Sequence, residues 1–150
     1  MEEAMTHLED QVCFALYSAT RAVTSLYRPM LDELGLTYPQ YLVMLVLWEQ
    51  RSITVKDLSA ALRLDSGTLS PLLKRMEAHG LVRRRRRRDD ERSVEITLTD
   101  EGEALQRKAG SVPGRLVRAL EIASDELVTL RETLRRLTAT ALDQSGRTES

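Results

Sequence analysis

Apolar residues recur at helical spacing early in the chain, at Leu8, Val12, Leu16, Ala19, Val23, Leu26, Met30 and Leu34. Steps of three and four mark one face of a helix, so a helix is expected over residues 8–34. Pro29 is a place for it to bend, and Gly35 a place for it to stop. Thr37-Tyr38-Pro39-Gln40 reads as a capping box, with Thr37 as N-cap, Gln40 at the third helical position and a proline in the first turn. The helix it opens, over residues 41–49, is apolar nearly all round (Leu42, Val43, Leu45, Val46, Leu47, Trp48) and should be central and buried. Thr54 then caps a short helix carrying Val55, Leu58, Ala61 and Leu62. After a turn at residues 63–66, a second short helix carries Leu69, Leu72, Leu73 and Met76 and closes at His79-Gly80. Pro71 fits that helix only if it starts near Thr68, leaving the proline in the first turn.

The period changes to two after Gly80. Val94, Ile96 and Leu98 fall on one face of a strand, with Ser93, Glu95 and Thr97 on the other. Before them stand six consecutive arginines, residues 83–88, and then Asp89-Asp90-Glu91-Arg92. The expected structure is a two-stranded ribbon with the acidic segment at its tip. Two short helices joined by a tight turn and followed by a ribbon make a helix-turn-helix with a wing. Thr99-Asp100-Glu101-Gly102 starts a further helix, interrupted near Pro113-Gly114. A last helix over residues 125–142 carries Leu127, Leu130, Leu134, Leu137 and Ala141 in one stripe, and residues 145–150 form a polar tail expected to be disordered.

Net charge changes this picture little, since 22 Lys and Arg stand against 23 Asp and Glu. Its distribution matters more. Nine basic residues and four acidic ones lie between Lys74 and Arg92, while Glu2, Glu3, Glu9 and Asp10 make the N-terminus acidic. A basic finger beside a helix-turn-helix is the footprint of a nucleic-acid reader. The second short helix offers Ser66, Thr68, Ser70, Lys74 and Arg75 to base edges and phosphates. Arg84, Arg86 and Arg88 would meet phosphates, and Arg92 at the tip could enter a narrow minor groove, oriented by Asp90. The competing reading is a structural winged helix that binds protein.

At 150 residues, one core suffices without disulfides or metals. No apolar run approaches the ~20 residues of a membrane span, and a Met-Glu-Glu start has the wrong sign for a signal peptide. With the single Cys13 excluding an internal disulfide, a cytoplasmic protein is expected. His7 and His79 lie far apart and without ligand spacing, so no metal and no cofactor are expected.

Leu81-Val82-Arg83 followed by Asp90-Glu91-Arg92-Ser93-Val94-Glu95-Ile96-Thr97-Leu98-Thr99-Asp100-Glu101-Gly102 resembles the wing signature of the MarR family of bacterial transcription regulators. Nearly the whole chain fits that family's layout, which implies a mainly α fold with a small β-wing. The resemblance implies dimerisation helices at residues 1–36 and 103–144 around a winged helix-turn-helix at residues 37–102. It further implies a homodimer whose two recognition helices read a palindromic operator in double-stranded DNA.

Read from the residues alone, Cys13 is either a small buried hydrophobe or a reactive thiol. Its surroundings, Cys13-Phe14-Ala15-Leu16-Tyr17 and Leu36-Thr37-Tyr38-Pro39-Gln40-Tyr41, resemble the organic-hydroperoxide sensors of the MarR family. In that group a reactive cysteine near the start of the first helix bonds to tyrosines across the dimer interface. The matching positions are Cys13, Tyr27 and Tyr38, with Tyr17 one turn beyond the cysteine. Phenolic O–H groups donate to a thiolate and favour its charged form. Four tyrosines against one phenylalanine suggest that the hydroxyls matter. Phe14, Leu16 and Met44 are expected to form an apolar surround that favours organic hydroperoxides over hydrogen peroxide.

With no second cysteine, the chain falls with the one-cysteine sensors. Its sulfenate must be trapped by a small external thiol, cyclise to a sulfenamide, or over-oxidise. The reading is therefore a repressor released by organic hydroperoxide, and not an enzyme. The alternatives are a MarR-type regulator released by a small phenolic ligand, with Cys13 inert, and a thiol peroxidase.

Overall fold

The computed structural model describes residues 6–90 and 92–148, so Glu2, Glu3 and Glu91 of the charge pattern lie outside it. The chain divides into two compact units, Met1–Val112 and Pro113–Ser150. The first holds a 3₁₀ turn at Leu8–Asp10, α1 (Val12–Asp32), α2 (Tyr38–Gln50), β1 (Ser52–Thr54), α3 (Val55–Leu62), α4 (Ser66–Ala78), β2 (Val82–Arg86), β3 (Val94–Leu98) and α5 (Asp100–Ala109).

The capping box at α2 forms as expected. Thr37 accepts from the Gln40 N–H at 3.3 Å, and Gln40 Oε1 accepts from the Thr37 N–H at 3.0 Å. Thr54 and Thr99 likewise cap α3 and α5, through the N–H groups of Asp57 and Gly102. With its Thr37 cap, α2 begins at Tyr38, three residues before the expected start, and two further helix starts differ from expectation. The first is α1, which begins at Val12, because residues 8–10 close a 3₁₀ turn, and it runs through Pro29 to Asp32. The second is α4, which begins at Ser66, two residues before Thr68, because Asp65 takes the N-cap and accepts from the Thr68 N–H at 2.7 Å. Pro71 is then the sixth helical residue. Its missing N–H leaves the carbonyl of Gly67, an exposed residue, for water.

The wing belongs to a three-stranded antiparallel sheet in the order β1-β3-β2, where two strands were expected. Ile53 of β1 pairs with Ile96, and Arg84 of β2 pairs with the same residue from the other side. Ile53, Ile96 and Val82 are buried on one sheet face, beneath which the core collects Val43, Met44, Leu47, Leu58, Leu69, Leu73 and Met76. Each such side chain contributes roughly 1.5–3 kcal/mol on burial.

A helix break falls at Gly110-Ser111, earlier than the expected Pro113-Gly114. Pro113 instead occupies the first turn of α6 (Val112–Leu120), where its lost N–H has no helical partner to miss. In the second unit, α7 spans Ser124–Thr148. Of its expected stripe, Leu127 and Leu134 are half-buried, whereas Leu130 and Leu137 are exposed. Residues 145–148 are helical, in place of the disordered tail expected from residue 145. Extending a formed helix adds a bond per residue, and the Arg147–Asp143 ion pair at 3.2 Å and the Ser145 bond to the Ala141 carbonyl support this last turn.

Candidate functional site

The helix-turn-helix is closed by Arg63, which ends α3 in the left-handed region at φ 55°. The Leu64 N–H donates to the Ser59 carbonyl at 3.1 Å, and the Ser59 hydroxyl donates back to the Leu64 carbonyl. Leu69, Leu72, Leu73 and Met76 anchor α4 in the core, so its other face must look outward. On it Ser66, Thr68, Ser70, Lys74 and Arg75 are all exposed, as the spacing predicted.

A cleft of about 420 Å³ opens between α3, α4 and the wing. Its polar lining is Lys56, Ser59, Ser66, Ser70, Arg84 and Arg92, with Ser93 beside them. Three cations and several hydroxyls, with no carboxylate in the lining, form a surface for phosphate oxygens. Lys56, Ser59 and Ser93 were missed in the sequence. Lys56 and Ser59 lie in α3, whose part in the cleft is visible only once the wing folds over it.

The arginine run separates into distinct roles. The Arg84 N–H and Nε donate to Glu77 of α4 at 2.8 and 3.3 Å, so Arg84 is half-buried and ties the wing to α4. The Arg84 N–H, followed by its guanidinium, holds the Glu77 carboxyl below the usual range. Arg87 makes two bonds of 3.1 Å to Asp89. Arg83, Arg85, Arg86 and Arg88 are exposed. Asp90 accepts from the Arg92 backbone N–H at 3.0 Å, where a bond to the guanidinium was expected, because two residues of separation favour a turn of this kind.

The base of the wing is held by Gly102. An added Cβ there would lie 2.3 Å from the Leu81 carbonyl oxygen. This close approach lets Thr99 donate to the Gly80 carbonyl at 2.6 Å and Trp48 Nε1 donate to the Gly102 carbonyl at 2.9 Å.

Cys13 sits in the first turn of α1 and is exposed. Around it on the same segment Leu8, Val12, Phe14 and Tyr17 are exposed too, Leu8 and Val12 at 63%. Arg21 lies over the Tyr17 ring at 5.4 Å. Met44, expected beside the thiol, is wholly buried in the core, because α2 turns it inward. Leu16 is half-buried.

Tyr27 and Tyr38 come together with Tyr41, which had been given no role. Their ring centroids are 4.9 Å apart for Tyr27 and Tyr38 and 5.9 Å for Tyr27 and Tyr41, and Tyr41 abuts Trp48 at 6.3 Å. Burial, then the neighbouring Tyr38 and Tyr41, pushes the Tyr27 phenol up to about 12, and burial raises Tyr38 as well. Both therefore stay protonated, as O–H donors, at neutral pH. Fourteen residues of continuous α1 separate Tyr27 from Cys13, a rise of about 21 Å. One chain does not bring them together.

Comparison with known proteins gives the chain its family. Residues 25–108 match the family described as transcriptional regulator SarA/Rot. The chain is 46% identical over 142 residues to the organic hydroperoxide resistance transcriptional regulator of Bacillus subtilis, covering 93% of this chain and 97% of that one. The chain is a MarR-family transcriptional regulator. Among solved structures, this regulator is similar to reduced AbfR bound to DNA, with a TM-score of 0.79 and 34% identity over 95% of this chain and 99% of that one. It is also similar to PcaV of Streptomyces coelicolor in complex with its natural ligand, with a TM-score of 0.81 and 25% identity over 91% and 97%. The winged helix assignment holds. Among the described residues there is no cluster able to hold a metal ion, and no helix is long and apolar enough to cross a membrane.

Proposed function

We propose that this regulator is a repressor that binds double-stranded DNA at a palindromic operator as a homodimer and lets go when an organic hydroperoxide oxidises Cys13. The exposed face of α4 and the cationic cleft beside it support the DNA half of this reading: they offer hydroxyls and guanidinium groups at a convex helix edge. The helices at residues 1–36 and 103–144 supply the dimer, through the exposed apolar residues of α1 and α7.

One observation carries the sensor half. An exposed thiol at the start of α1 is set in exposed apolar residues, while the phenols that would bond to it stand about 21 Å along the same helix. A second chain running the other way brings its Tyr27 and Tyr38 to this thiol. The first turn of a helix also favours negative charge. The thiolate attacks the hydroxyl oxygen of the peroxide, the O–O bond breaks, the other oxygen leaves as an alkoxide that takes a proton from water to become the alcohol, and sulfur becomes a sulfenic acid. A small thiol then displaces water and leaves a mixed disulfide. That added bulk forces the phenols away from Cys13 and respaces the recognition helices away from the ~34–36 Å of successive major grooves.

The test is Cys13→Ser. We expect DNA affinity within about twofold of wild type and no release by cumene hydroperoxide, read by fluorescence anisotropy, with intact mass following the wild-type adduct. Normal release of the serine variant would sink the assignment.

A cavity of about 310 Å³ lined by Thr24, Arg28, Asp32 and Tyr38 favours a second reading, in which a small phenolic ligand releases the DNA and Cys13 is inert. Release of Cys13→Ser by salicylate but not by hydroperoxide would select it.

A further inference from the structure

Helix α2 has one end at the phenols and the other at the base of the wing. Tyr38 and Tyr41 lie in its first turns and Trp48 in its last, at steps of three and seven that set them along one side. The Tyr41 ring packs against Tyr27 at 5.9 Å and against Tyr38 at 6.5 Å. On its far side it meets Trp48 edge-on, and the Trp48 N–H holds the Gly102 carbonyl. One contact thus follows another from Tyr27 to the glycine that seats α5 against Leu81.

The wing end of α2 is fastened by its cap as well. Arg51 stands at a positive φ of 69°, and its carbonyl accepts from the Leu98 N–H at 3.0 Å. Its guanidinium grips Glu103 of α5 through two contacts of 2.7 Å. A residue other than glycine keeps such a backbone only where its surroundings over-determine it. The helix spans about 20 Å, so a shift at its start is delivered to β3 and α5 rather than absorbed at a loose end.

Tyr41 is the middle member of the series and the best buried of the three phenols, at 3% exposure against half-buried Tyr27 and Tyr38. It meets Tyr27 and Trp48 through its ring, so the ring rather than the hydroxyl joins them. Close-packed interiors move between discrete arrangements and do not bend continuously. A ring wedged between two others cannot keep both contacts once one of them leaves.

We infer that Tyr41 is the positioning residue through which the sensor reaches the reader. When the mixed disulfide at Cys13 drives Tyr27 and Tyr38 aside, the Tyr41 ring follows them, draws Trp48 from the Gly102 carbonyl and loosens the base of the wing. The inference rests on the sensor reading above and gives it a path within one chain. Tyr41 touches neither peroxide nor DNA and acts through its neighbours. Respacing of the dimer helices as rigid bodies would leave the wing base as it is.

The experiment uses full-length wild type, Y41L, Y41F and W48F, with cumene hydroperoxide as oxidant and cysteine as the small thiol. Intact mass reports the Cys13 adduct, and anisotropy reports affinity for a duplex selected from a random pool by the wild type. Hydrogen exchange over residues 97–103 reports the wing base, where the Leu98 and Gly102 N–H groups are bonded. Oxidation should lower wild-type affinity by a factor of roughly 5–150, the usual size of coupling between two sites, and should raise exchange in that segment. Y41L should bind like wild type when reduced and form the adduct, yet lose only about threefold in affinity, with little rise in exchange. Y41F keeps the ring and should match wild type throughout. W48F has no N–H for Gly102, so its reduced form should already exchange there nearly as fast as the oxidised wild type. Y41L with the full loss of affinity and the full rise in exchange overturns the proposal, and so does a reduced W48F as well protected as wild type. Where Y41L does not bind DNA when reduced, W48F alone decides. Wild type that forms the adduct and keeps its DNA overturns the sensor reading itself.

Discussion

The wing and the first turns of α1 differ in how complete they are within one chain. The wing's strands are paired, its base is locked through Gly102, Thr99 and Trp48, and Glu77 ties it to α4. The start of α1 instead leaves Leu8, Val12, Phe14 and Tyr17 in solvent around an exposed thiol, with the aromatic cluster nearly four turns away. The DNA reader is thus finished by its own chain, whereas the proposed sensor holds only half of its parts. A switch built this way makes detection a property of the pair of chains and leaves recognition to each chain alone.

The largest expected effect breaks the finished half. Gly102→Ala places a methyl group 2.3 Å from the Leu81 carbonyl oxygen and 2.8 Å from Leu98 Cδ1. It should destabilise the protein by about 3 kcal/mol, the upper part of the usual range for overpacking. Urea unfolding checks this, and an unchanged midpoint would mean that α5 does not brace the wing. The next effect sharpens the contrast. On the proposed sensor geometry, Tyr27→Phe removes a donor to the charged sulfur, a bond of roughly 1.5–3 kcal/mol, and should slow Cys13 oxidation tenfold or more. Mixing this variant in equal amount with Cys13→Ser should then restore the fast rate to about half of the thiols, because random exchange in the proposed homodimer sets half of them opposite an intact Tyr27. No restoration would place the donors in the same chain.

The smallest effect lies on the acid side. The folded Glu77 carboxyl titrates below its ordinary 4.5 because of the Arg84 N–H and guanidinium. Its stabilising contribution is therefore present at neutral pH and lost as the pH falls from about 4.5 through the folded value. Glu77→Gln should flatten that limb of a melting-temperature profile while changing the neutral value little. A profile still matching the wild type there would remove Glu77 as the tie between the wing and α4.

Much of the reader was legible because its signals are local. The Thr37-Gln40 box, the Thr54 and Thr99 caps and the alternation at Val94, Ile96 and Leu98 each depend on neighbours within a few positions. β1 was not legible, since three residues become a strand only by pairing with β3. The bond from Arg84 to Glu77 was hidden for a similar reason: alternation shows that arginines part to two faces, not which face finds a carboxylate. The start of α4 depends on which residue of the turn caps it, and Asp65, accepting from the Thr68 N–H, sets it at Ser66. For the proposed sensor, Cys13, Tyr27 and Tyr38 are legible only through a family resemblance. The contact of Tyr41 with Tyr27 joins residues on two helices and required the fold.

Trp48 is the chain's single tryptophan, and its indole N–H points at the joint where α5 leaves the wing. Excitation at the red edge of the ultraviolet band, beyond the absorption of the four tyrosines, therefore illuminates one place only. Emission from that indole depends on whether its N–H holds the Gly102 carbonyl or meets water. The regulator thus carries a native optical gauge at the locked base of its reader. Stopped-flow fluorescence after oxidant addition can time when a change near Cys13 reaches the wing.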